Sequence, residues 1–316
     1  MNILFWVSVG IVSLAVLVKS ADYFVEGAEA IGAHFRVKPF ILGVFLLGFG
    51  TSLPELIIGI VSAVKGTTEI VAGNVLGANT ANILLILGVA AIAVKKAKIN
   101  FNLLEFDIPL FITSAFIAAL TMWDGIFTPF EGIFVLVIFC LYIAHTFSER
   151  KKEQRLIPKE IRELPRDAVR WQDIAKIAAS PIFIYLGARY TVEATVVLAR
   201  TLTIGTEIIA ATAISLGTTL PELAVSYATV KKKKIDEMLG NIIGSNIFNI
   251  LVVLGIPSLI AAISVPESTR MVTLPLMMVA TAVCFVVISD RKITRGEGIA
   301  LLIFYLAFMG GVLGVF

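Results

Sequence analysis

The fold is constrained most by a segment that the chain contains twice, once in each half. The first copy reads Gly-Thr-Ser-Leu-Pro-Glu at 50–55, and the second reads Gly-Thr-Thr-Leu-Pro-Glu at 217–222. Each hexapeptide is followed at the same distance by Gly-Asn-x-x-Gly-x-Asn-x-x-Asn, at 73–82 and 240–249. Both copies place a proline and a carboxylate inside apolar sequence, which is typical of membrane proteins built from internal repeats.

The apolar runs are long enough to cross a bilayer, which takes about 20 residues of helix. Hydrophobic residues make up 58% of the chain and charged residues only 16%, whereas a soluble domain is about one quarter charged. The runs are continuous rather than alternating, so a membrane β-barrel is excluded. We therefore predict an all-α polytopic membrane protein with ten transmembrane helices. The ten spans are roughly 3–30, 40–64, 70–94, 106–122, 130–147, 172–199, 206–230, 236–263, 271–288 and 297–315.

The long polar segment at 148–171 divides the spans into two groups of five. We predict a first five-helix repeat at 1–147 and a second at 172–316, with the duplicated motifs at 48–88 and 215–255. Because five is an odd number, the second repeat must insert upside down relative to the first, as two inverted five-helix repeats.

Basic residues predict the orientation. The loops after odd-numbered spans carry 20 Lys and Arg residues, and the loops on the other side carry 3. Cytoplasmic loops are enriched in basic residues. We therefore expect a multi-pass protein of the cell membrane, with a cytoplasmic 148–171 loop and both termini outside.

The repeat extends beyond the two motifs. Glu26 corresponds to Glu193 at the spacing of the motifs, and the segment Thr128–Glu131 corresponds to Thr294–Glu297 at nearly that spacing. Each Thr-x-x-Glu segment fits a capping box, in which the two residues cap a helix start reciprocally.

Glu55 and Glu222 lie near the bilayer midplane, because each is about 15 residues into its span at a rise of about 1.5 Å per residue. A bare carboxylate there is expensive, so it must be protonated, paired with a basic side chain or bound to a cation. The basic residues within spans are Lys19, Lys176 and Arg189, which belong to spans one and six. A bound cation that exchanges for protons or other cations is therefore the simplest interpretation.

Pro54 and Pro221 predict a helix interruption beside each carboxylate, because proline removes a backbone donor. Carbonyls near Gly48 or Ser215 could then face an ion, since irregular backbone is tolerated where it lines a cavity. The neighbouring side-chain oxygens belong to Thr51, Ser52, Thr218, Thr219, Ser245, Asn74, Asn79, Asn82, Asn241, Asn246 and Asn249. This set contains neither sulfur nor imidazole, so it suits hard cations such as Ca²⁺ and Na⁺. Gly73, Gly77, Gly240 and Gly244 are expected to allow close helix packing.

The two motifs together resemble the α-repeats of the sodium/calcium exchangers, in the prokaryotic-type, ten-helix form of the cation/Ca²⁺ antiporter superfamily. The resemblance covers the whole chain and implies that spans two, three, seven and eight surround a cluster of cation sites. It implies that Glu55 and Glu222 bind Ca²⁺ and Na⁺ in competition, and that spans one and six slide against this core. The further implied ligands are the backbone carbonyls of Thr51 and Thr218 for Ca²⁺, and Ser52, Thr219 and Ser245 for Na⁺.

Two positions depart from the family pattern. Ala78 stands where similar microbial exchangers often carry serine, so one side-chain ligand is missing opposite its counterpart Ser245, and this bears on the number of Na⁺ ions bound. Asn249 stands where some members carry the aspartate typical of potassium-dependent exchangers. It mirrors Asn82, argues against potassium co-transport and leaves two carboxylates in the site.

We predict a secondary antiporter that exchanges Ca²⁺ for Na⁺ by alternating access and normally extrudes Ca²⁺. Its partners would be the lipid bilayer and inorganic cations, without an enzyme activity, a cofactor, a nucleic acid or an obligate protein partner. A Ca²⁺/H⁺ antiporter, with both glutamates as proton carriers, is the nearest alternative. An intramembrane enzyme is disfavoured because the motifs lack a nucleophile–base pair, and a Ca²⁺ channel would differ by flux that needs no counter-ion.

Overall fold

The computed structural model describes residues 3–34, 44, 47–94, 96–99, 107–156, 169–202, 205, 217, 219–231, 233, 235–289 and 291–312. Almost all of these residues are helical. In the first half, the helices are α1 (Ile3–His34), α2 (Phe49–Thr51), α3 (Leu53–Lys65), α4 (Glu69–Ala81), α5 (Leu87–Val94), α6 (Asp107–Thr121) and α7 (Pro129–Leu156). In the second half, they are α8 (Trp171–Leu202), α9 (Leu220–Lys231), α10 (Ile235–Phe248), α11 (Gly255–Ser258), α12 (Leu274–Ser289) and α13 (Arg295–Val312).

Three π-helical segments are described over their full length, and the described residues 44, 47 and 48 are π-helical as well. The three segments are Asn82–Ile86, between α4 and α5, Asn249–Val253, between α10 and α11, and Thr269–Thr273, directly before α12. Among the described residues, five continuous helical stretches are long and apolar enough to cross a membrane. They are Glu69–Val94, Pro129–Thr146, Ile235–Ser258, Thr269–Ser289 and Arg295–Val312. The predicted all-α class is confirmed, and parts of predicted spans two and seven lie outside the described residues.

Two predicted boundaries need correction. Span eight was expected to reach residue 263, but α11 ends at Ser258 and residues 263 and 264 form a short strand. The segment leaves the helix because it pairs with another loop. Helix α7 also continues to Leu156, so the first part of the predicted 148–171 loop is helical.

Two small antiparallel sheets show the inverted repeat directly. Strand β1 (Lys96–Lys98) pairs with β4 (Lys292–Thr294), and β2 (Ile126–Phe127) pairs with β3 (Ile263–Ser264). Lys98 and Ser264 are equivalent positions of the two repeats, and so are Ile126 and Lys292. The pairing of Lys98 with Lys292 in one sheet is therefore repeated in the other sheet as the pairing of Ser264 with Ile126. The helix Thr269–Ser289 runs from just after β3 to just before β4, so the two sheets lie at its opposite ends.

Both predicted capping boxes are present. The backbone N–H of Thr128 donates to Glu131 Oε2 at 2.7 Å, and the N–H of Glu131 donates to Thr128 Oγ1 at 3.3 Å. The N–H of Thr294 donates to Glu297 Oε2 at 2.6 Å, with a return bond of 3.4 Å. These reciprocal bonds satisfy backbone donors at the starts of α7 and α13.

The amide-bearing helices lie at the centre of the molecule. In the most apolar windows of Glu69–Val94 and Ile235–Ser258, 83% and 94% of the residues are buried, against 17% for Pro129–Thr146. Polar side chains on the two central stretches are therefore enclosed by protein, whereas α7 presents an apolar surface outwards. This arrangement places both duplicated motifs in the interior.

Candidate cation-binding site

The first motif breaks its helix beside the carboxylate, as the sequence predicts. Helix α2 ends at Thr51, and α3 begins at Leu53, with Pro54 in its first turn. Ser52 lies between them, and its N–H donates to the carbonyl of Gly48 at 3.2 Å. Glu55 is therefore in the first turn of α3, where the positive end of the helix dipole favours a negative charge.

The second motif has the same local arrangement as far as it is described. Helix α9 begins at Leu220, so Pro221 and Glu222 occupy its first turn, and Thr219 precedes it in a turn. Thr218 and Ser215 lie outside the described residues.

The two carboxylates come from different repeats and meet in the interior. Glu55 and Glu222 are completely buried, and they lie close enough to repel each other electrostatically. Ser52 Oγ donates a hydrogen bond to Glu222 Oε1 at 3.1 Å, which joins the serine of one motif to the carboxylate of the other. Among the described residues, no group of three or more His, Cys, Asp or Glu side chains could hold a metal ion.

The broken helix of the first repeat packs tightly on α10. Ser245 Oγ donates to the carbonyl of Gly48 at 3.1 Å, and Thr51 Oγ1 lies 3.4 Å from Asn241 Oδ1. Thr51 Oγ1 also donates to the carbonyl of Leu47 at 2.8 Å. The carbonyl of Gly48 was predicted to face an ion. In this structure it accepts hydrogen bonds from the protein instead. These contacts bring Gly48, Thr51, Asn241 and Ser245 together.

Two glycines make this close approach possible. A Cβ atom at Gly244 would lie 2.8 Å from Val44 Cα, and one at Gly48 would lie 3.0 Å from the backbone nitrogen of Ser245. Because the opposing atoms belong to the backbone, they cannot move aside as a flexible side chain could. The predicted role of Gly244 in close packing is confirmed.

The amides of the second repeat are held by hydrogen bonds. Asn241 Nδ2 donates to Ser226 Oγ at 2.9 Å and to the carbonyl of Glu222 at 3.2 Å. Asn249 Nδ2 donates to Asn79 Oδ1 at 3.0 Å, which links the two repeats. Asn246 Nδ2 donates to the carbonyl of Ile242 within its own helix. The carbonyl of Asn246 in turn accepts a bond from Asn79 Nδ2 at 3.3 Å.

The matching amides of the first repeat differ. Asn74 and Asn82 are completely buried, and neither polar atom of either side chain has a hydrogen-bond partner among the described residues. Leaving such a group unpaired costs about 1–3 kcal/mol. The amide oxygens of Asn74 and Asn82 are therefore available as ligands, as is Asn249 Oδ1.

Two exchanges between the repeats account for part of this inequality. Gly59 stands where the second repeat has Ser226, and a Cβ atom there would lie 3.0 Å from Pro257 Cγ. Asn74 consequently lacks the hydroxyl partner that Asn241 has. The fully buried Ala78 occupies the position equivalent to Ser245. Because alanine has no hydroxyl, the first repeat lacks the hydroxyl that Ser245 supplies in the second.

A feature that sequence reasoning missed is a π-helical segment at the end of each motif. The segments begin at the equivalent residues Asn82 and Asn249, and their first carbonyls accept hydrogen bonds from the N–H groups of Leu87 and Leu254. A π-bulge widens the helix locally and is frequent at functional sites. The duplicated letters Asn-Ile-Leu at both positions were the available signal, but residue propensities do not distinguish a π-turn from an α-turn.

A cluster of three aromatic rings also lies beside the site. Phe49 stacks on Phe248 with ring centroids 4.7 Å apart, and Phe139 contacts them at 5.4 and 5.9 Å. Phe49 follows Gly48, and Phe248 precedes Asn249, so the cluster borders the repeat-one break and the repeat-two π-segment. The corresponding positions in the other half are occupied by Leu216, Ala81 and Tyr305.

Comparison with known proteins points in one direction. The family described as sodium/calcium exchanger protein matches residues 5–148 and 174–314. Inner membrane protein YrbG of Escherichia coli strain K12 is 33% identical over 303 residues, which cover 93% of this chain and 91% of YrbG. Sodium/calcium exchanger MaX1 of Methanosarcina acetivorans is 32% identical, with coverage of 95% and 96%.

A solved structure shows the same architecture. The sodium-calcium exchanger NCX_Mj, soaked with 100 mM Na⁺ and 10 mM Sr²⁺, superposes with a TM-score of 0.70 at 27% sequence identity. The match covers 96% of this chain and 97% of that one. The two inverted repeats predicted from the sequence are therefore a fold that has been observed in an exchanger.

Proposed function

Because the chain belongs to the sodium/calcium exchanger protein family, we propose that it exchanges Ca²⁺ for Na⁺ across the membrane by alternating access. In this proposal it is a secondary antiporter that normally extrudes Ca²⁺ with an inward Na⁺ gradient. The observation that carries the proposal is the pair of fully buried carboxylates, Glu55 and Glu222, supplied by opposite repeats.

Charge balance explains how such a site couples two ions. Two glutamates give a charge of −2, which one Ca²⁺ or two Na⁺ neutralise. An unneutralised carboxylate in the membrane interior costs several kcal/mol. An empty or half-filled site therefore resists the transition between the inward-open and outward-open states. Each transition consequently carries either Ca²⁺ or Na⁺, which couples the two fluxes.

The proposed ligands divide by chemistry. Glu55 and Glu222 bind either ion, while the carbonyls of Thr51 and Thr218 complete the Ca²⁺ shell. Ser52, Thr219 and Ser245 contribute to Na⁺ binding, and the amide oxygens of Asn82 and Asn249 complete this proposed ligand set. In this proposal, the residues around the ions would be Gly48, Ser215, Asn74, Ala78, Asn79, Asn241 and Asn246. Oxygen ligands of this kind suit Ca²⁺, which accepts six to eight of them in a flexible shell.

Proton coupling is the alternative that a specific observation favours. The second repeat offers Ser245 Oγ, but the matching position of the first repeat is the buried Ala78. A site with fewer hydroxyl ligands holds fewer Na⁺ ions, whereas protons can neutralise both glutamates without any further ligand. The exchanger would then be a Ca²⁺/H⁺ antiporter.

The deciding experiment is ⁴⁵Ca²⁺ uptake into proteoliposomes loaded with Na⁺, at equal pH on both faces. Glu55→Gln and Glu222→Gln test the site, and Glu267→Gln is the matched control because Glu267 is an exposed helical glutamate outside the site. We expect uptake to require internal Na⁺, to disappear in the two site variants and to persist in the control.

Each other outcome changes the proposal. Uptake that ignores Na⁺ and follows an imposed pH gradient establishes the proton-coupled alternative. Uptake that persists in both site variants contradicts the assignment of the carboxylates. Flux that needs no counter-ion gradient contradicts exchange altogether.

A further inference from the structure

A long apolar groove runs between α1 and α8, and its lining includes neither Glu55 nor Glu222. It consists of two cavities of about 410 and 620 Å³, which meet at Val16 and Phe183. The smaller cavity extends to Phe5 and the larger one to Trp171. The helices contact each other tightly beside the groove, where a Cβ atom at Gly187 would lie 2.9 Å from Leu17.

The larger cavity ends at a cluster of basic and aromatic side chains. Lys19 Nζ lies 5.0 Å from the ring centroid of Tyr23, and Lys176 Nζ lies 5.9 Å from the same centroid. Trp171 is 75% exposed beside them and lines the same cavity. Two ammonium groups from different helices therefore converge where the apolar groove ends.

The depth of this cluster matches the membrane interface. Lys19 is the first charged residue of α1 and of the chain, and Asp22 and Glu26 follow it, so the uncharged part of the helix ends here, inside the span predicted at 3–30. Tryptophan and tyrosine concentrate at the level of lipid head groups, and lysine reaches that level while its stem stays on apolar surface.

We propose that this groove binds an anionic glycerophospholipid, with its phosphate between Lys19 and Lys176 and an acyl chain along Val16 and Phe183. Charge complementarity and the continuous apolar floor favour this occupant over a protein segment. An extended peptide laid in the groove would leave backbone N–H and C=O groups without partners, whereas an acyl chain carries no such groups.

The ion pair between Lys176 and Glu26 would compete with a bound lipid phosphate. Lys176 Nζ donates to Glu26 Oε2, so part of its charge is already compensated by protein. A lipid phosphate and Glu26 therefore compete for Lys176, while Lys19 adds to the attraction for the phosphate. Removing Lys19 and removing Glu26 should change lipid preference in opposite directions.

Fluorescence of Trp171 reports occupancy directly. Trp6→Phe with Trp123→Phe leaves Trp171 as the one tryptophan of the three in the chain, and brominated lipids quench a tryptophan that they touch. In proteoliposomes, we expect brominated phosphatidylglycerol to quench Trp171 more strongly than brominated phosphatidylcholine at equal mole fraction. Lys19→Gln should reduce this preference about fivefold, because one interfacial lysine contributes about 1 kcal/mol.

Three further variants separate lipid binding from general effects. Lys19→Arg keeps the charge and should keep the preference, while Glu26→Gln should increase it. Lys65→Gln is the matched control, since Lys65 pairs at 3.6 Å with Glu193, the repeat counterpart of Glu26. Inorganic phosphate at millimolar concentration should not compete, because it lacks an acyl chain.

The proposal is overturned if the two brominated lipids quench Trp171 equally in the Lys19-containing protein. It is also overturned if Lys65→Gln lowers the preference as much as Lys19→Gln, or if inorganic phosphate displaces the lipid. None of these readouts depends on ion exchange, so failure here is distinct from failure of the proposed transport function.

Discussion

At the scale of single residues, equivalent asparagines of the two repeats differ in their hydrogen bonds. Asn241 is held by Ser226 and by the carbonyl of Glu222, while Asn74 has no hydrogen-bond partner among the described residues. The difference arises because Gly59 replaces the serine. One asparagine thus stabilises the protein and its counterpart leaves a polar group unpaired.

Asn74→Leu and Asn241→Leu should therefore have different effects on stability in the absence of Ca²⁺ and Na⁺. Asn241→Leu removes two hydrogen bonds and leaves buried partners unpaired, so we expect a loss of about 1–3 kcal/mol. Asn74→Leu removes an unpaired buried amide and should cost little. Thermal unfolding in detergent measures both, and equal destabilisation would contradict the assigned bonding.

The residue scale also shows how far the sequence predicted the site. The break at Ser52, the position of Glu55 at the start of α3 and the packing role of Gly244 each follow from a local signal, namely a proline, a carboxylate and a glycine in an apolar helix. The bond from Ser52 to Glu222 does not, because it depends on how two distant segments pack. The bonding of Gly48 was unpredictable for the same reason.

At the scale of elements, the contact between the segment at 44–52 and α10 is made by backbone on both sides. Val44 lies against Gly244, and Gly48 lies against Ser245. The backbone of α10 is fixed by its own helical hydrogen bonds. Any side chain at these two glycines must therefore displace a whole segment rather than one rotamer.

Gly244→Ala tests this contact. The added Cβ would lie 2.8 Å from Val44 Cα, so we expect a destabilisation of about 1–3 kcal/mol, as for overpacked cores, and a lower exchange rate. Gly296→Ala is the control, because a Cβ there has no atom within 4 Å. Equal unfolding temperatures for the two variants would show that the segment yields easily.

Capping and helix content at the element scale were predictable, and the ends and π-segments were not. Thr-x-x-Glu is a local signal that needs no partner, so both boxes were found from the sequence. The strand at 263–264 exists because residues 126 and 127 lie beside it. The residues of span eight alone carry no signal for this pairing, so the predicted span extended through the strand.

At the scale of the whole molecule, the loops that pair in the sheets follow spans of the same parity. Strands β1 and β4 follow predicted spans three and nine, and β2 and β3 follow spans four and eight. This arrangement agrees with successive crossings of the membrane. The 20-to-3 distribution of basic residues is the argument for which face is cytoplasmic.

Cysteine labelling of intact cells tests the orientation. In a Cys140→Ser background, we expect a membrane-impermeant maleimide to label Ile260→Cys, in the loop after span eight, and to spare Lys98→Cys. Both positions are exposed, so a difference reflects the side of the membrane. The reverse pattern would invert the proposed topology.

A cross-link between β2 and β3 tests whether the sheets move. Ile126 and Ser264 are directly paired, and paired strand positions bring Cα atoms within reach of a disulfide. In a Cys140→Ser background, oxidised Ile126→Cys/Ser264→Cys should retain Ca²⁺ exchange, with the reduced protein as its control. Inhibition that a reductant reverses would show that the sheet opens during transport.

The two sheets have a mechanical consequence. Each sheet joins a strand of one repeat to a strand of the other, and the sheets lie at opposite ends of the helix Thr269–Ser289. The two repeats are thus joined by backbone hydrogen bonds at both ends of this helix. Rotating the two repeats apart would break the hydrogen bonds of one of these sheets. We therefore expect the switch between the inward-open and outward-open states to come from helices outside the sheets that slide, such as α1 and α8.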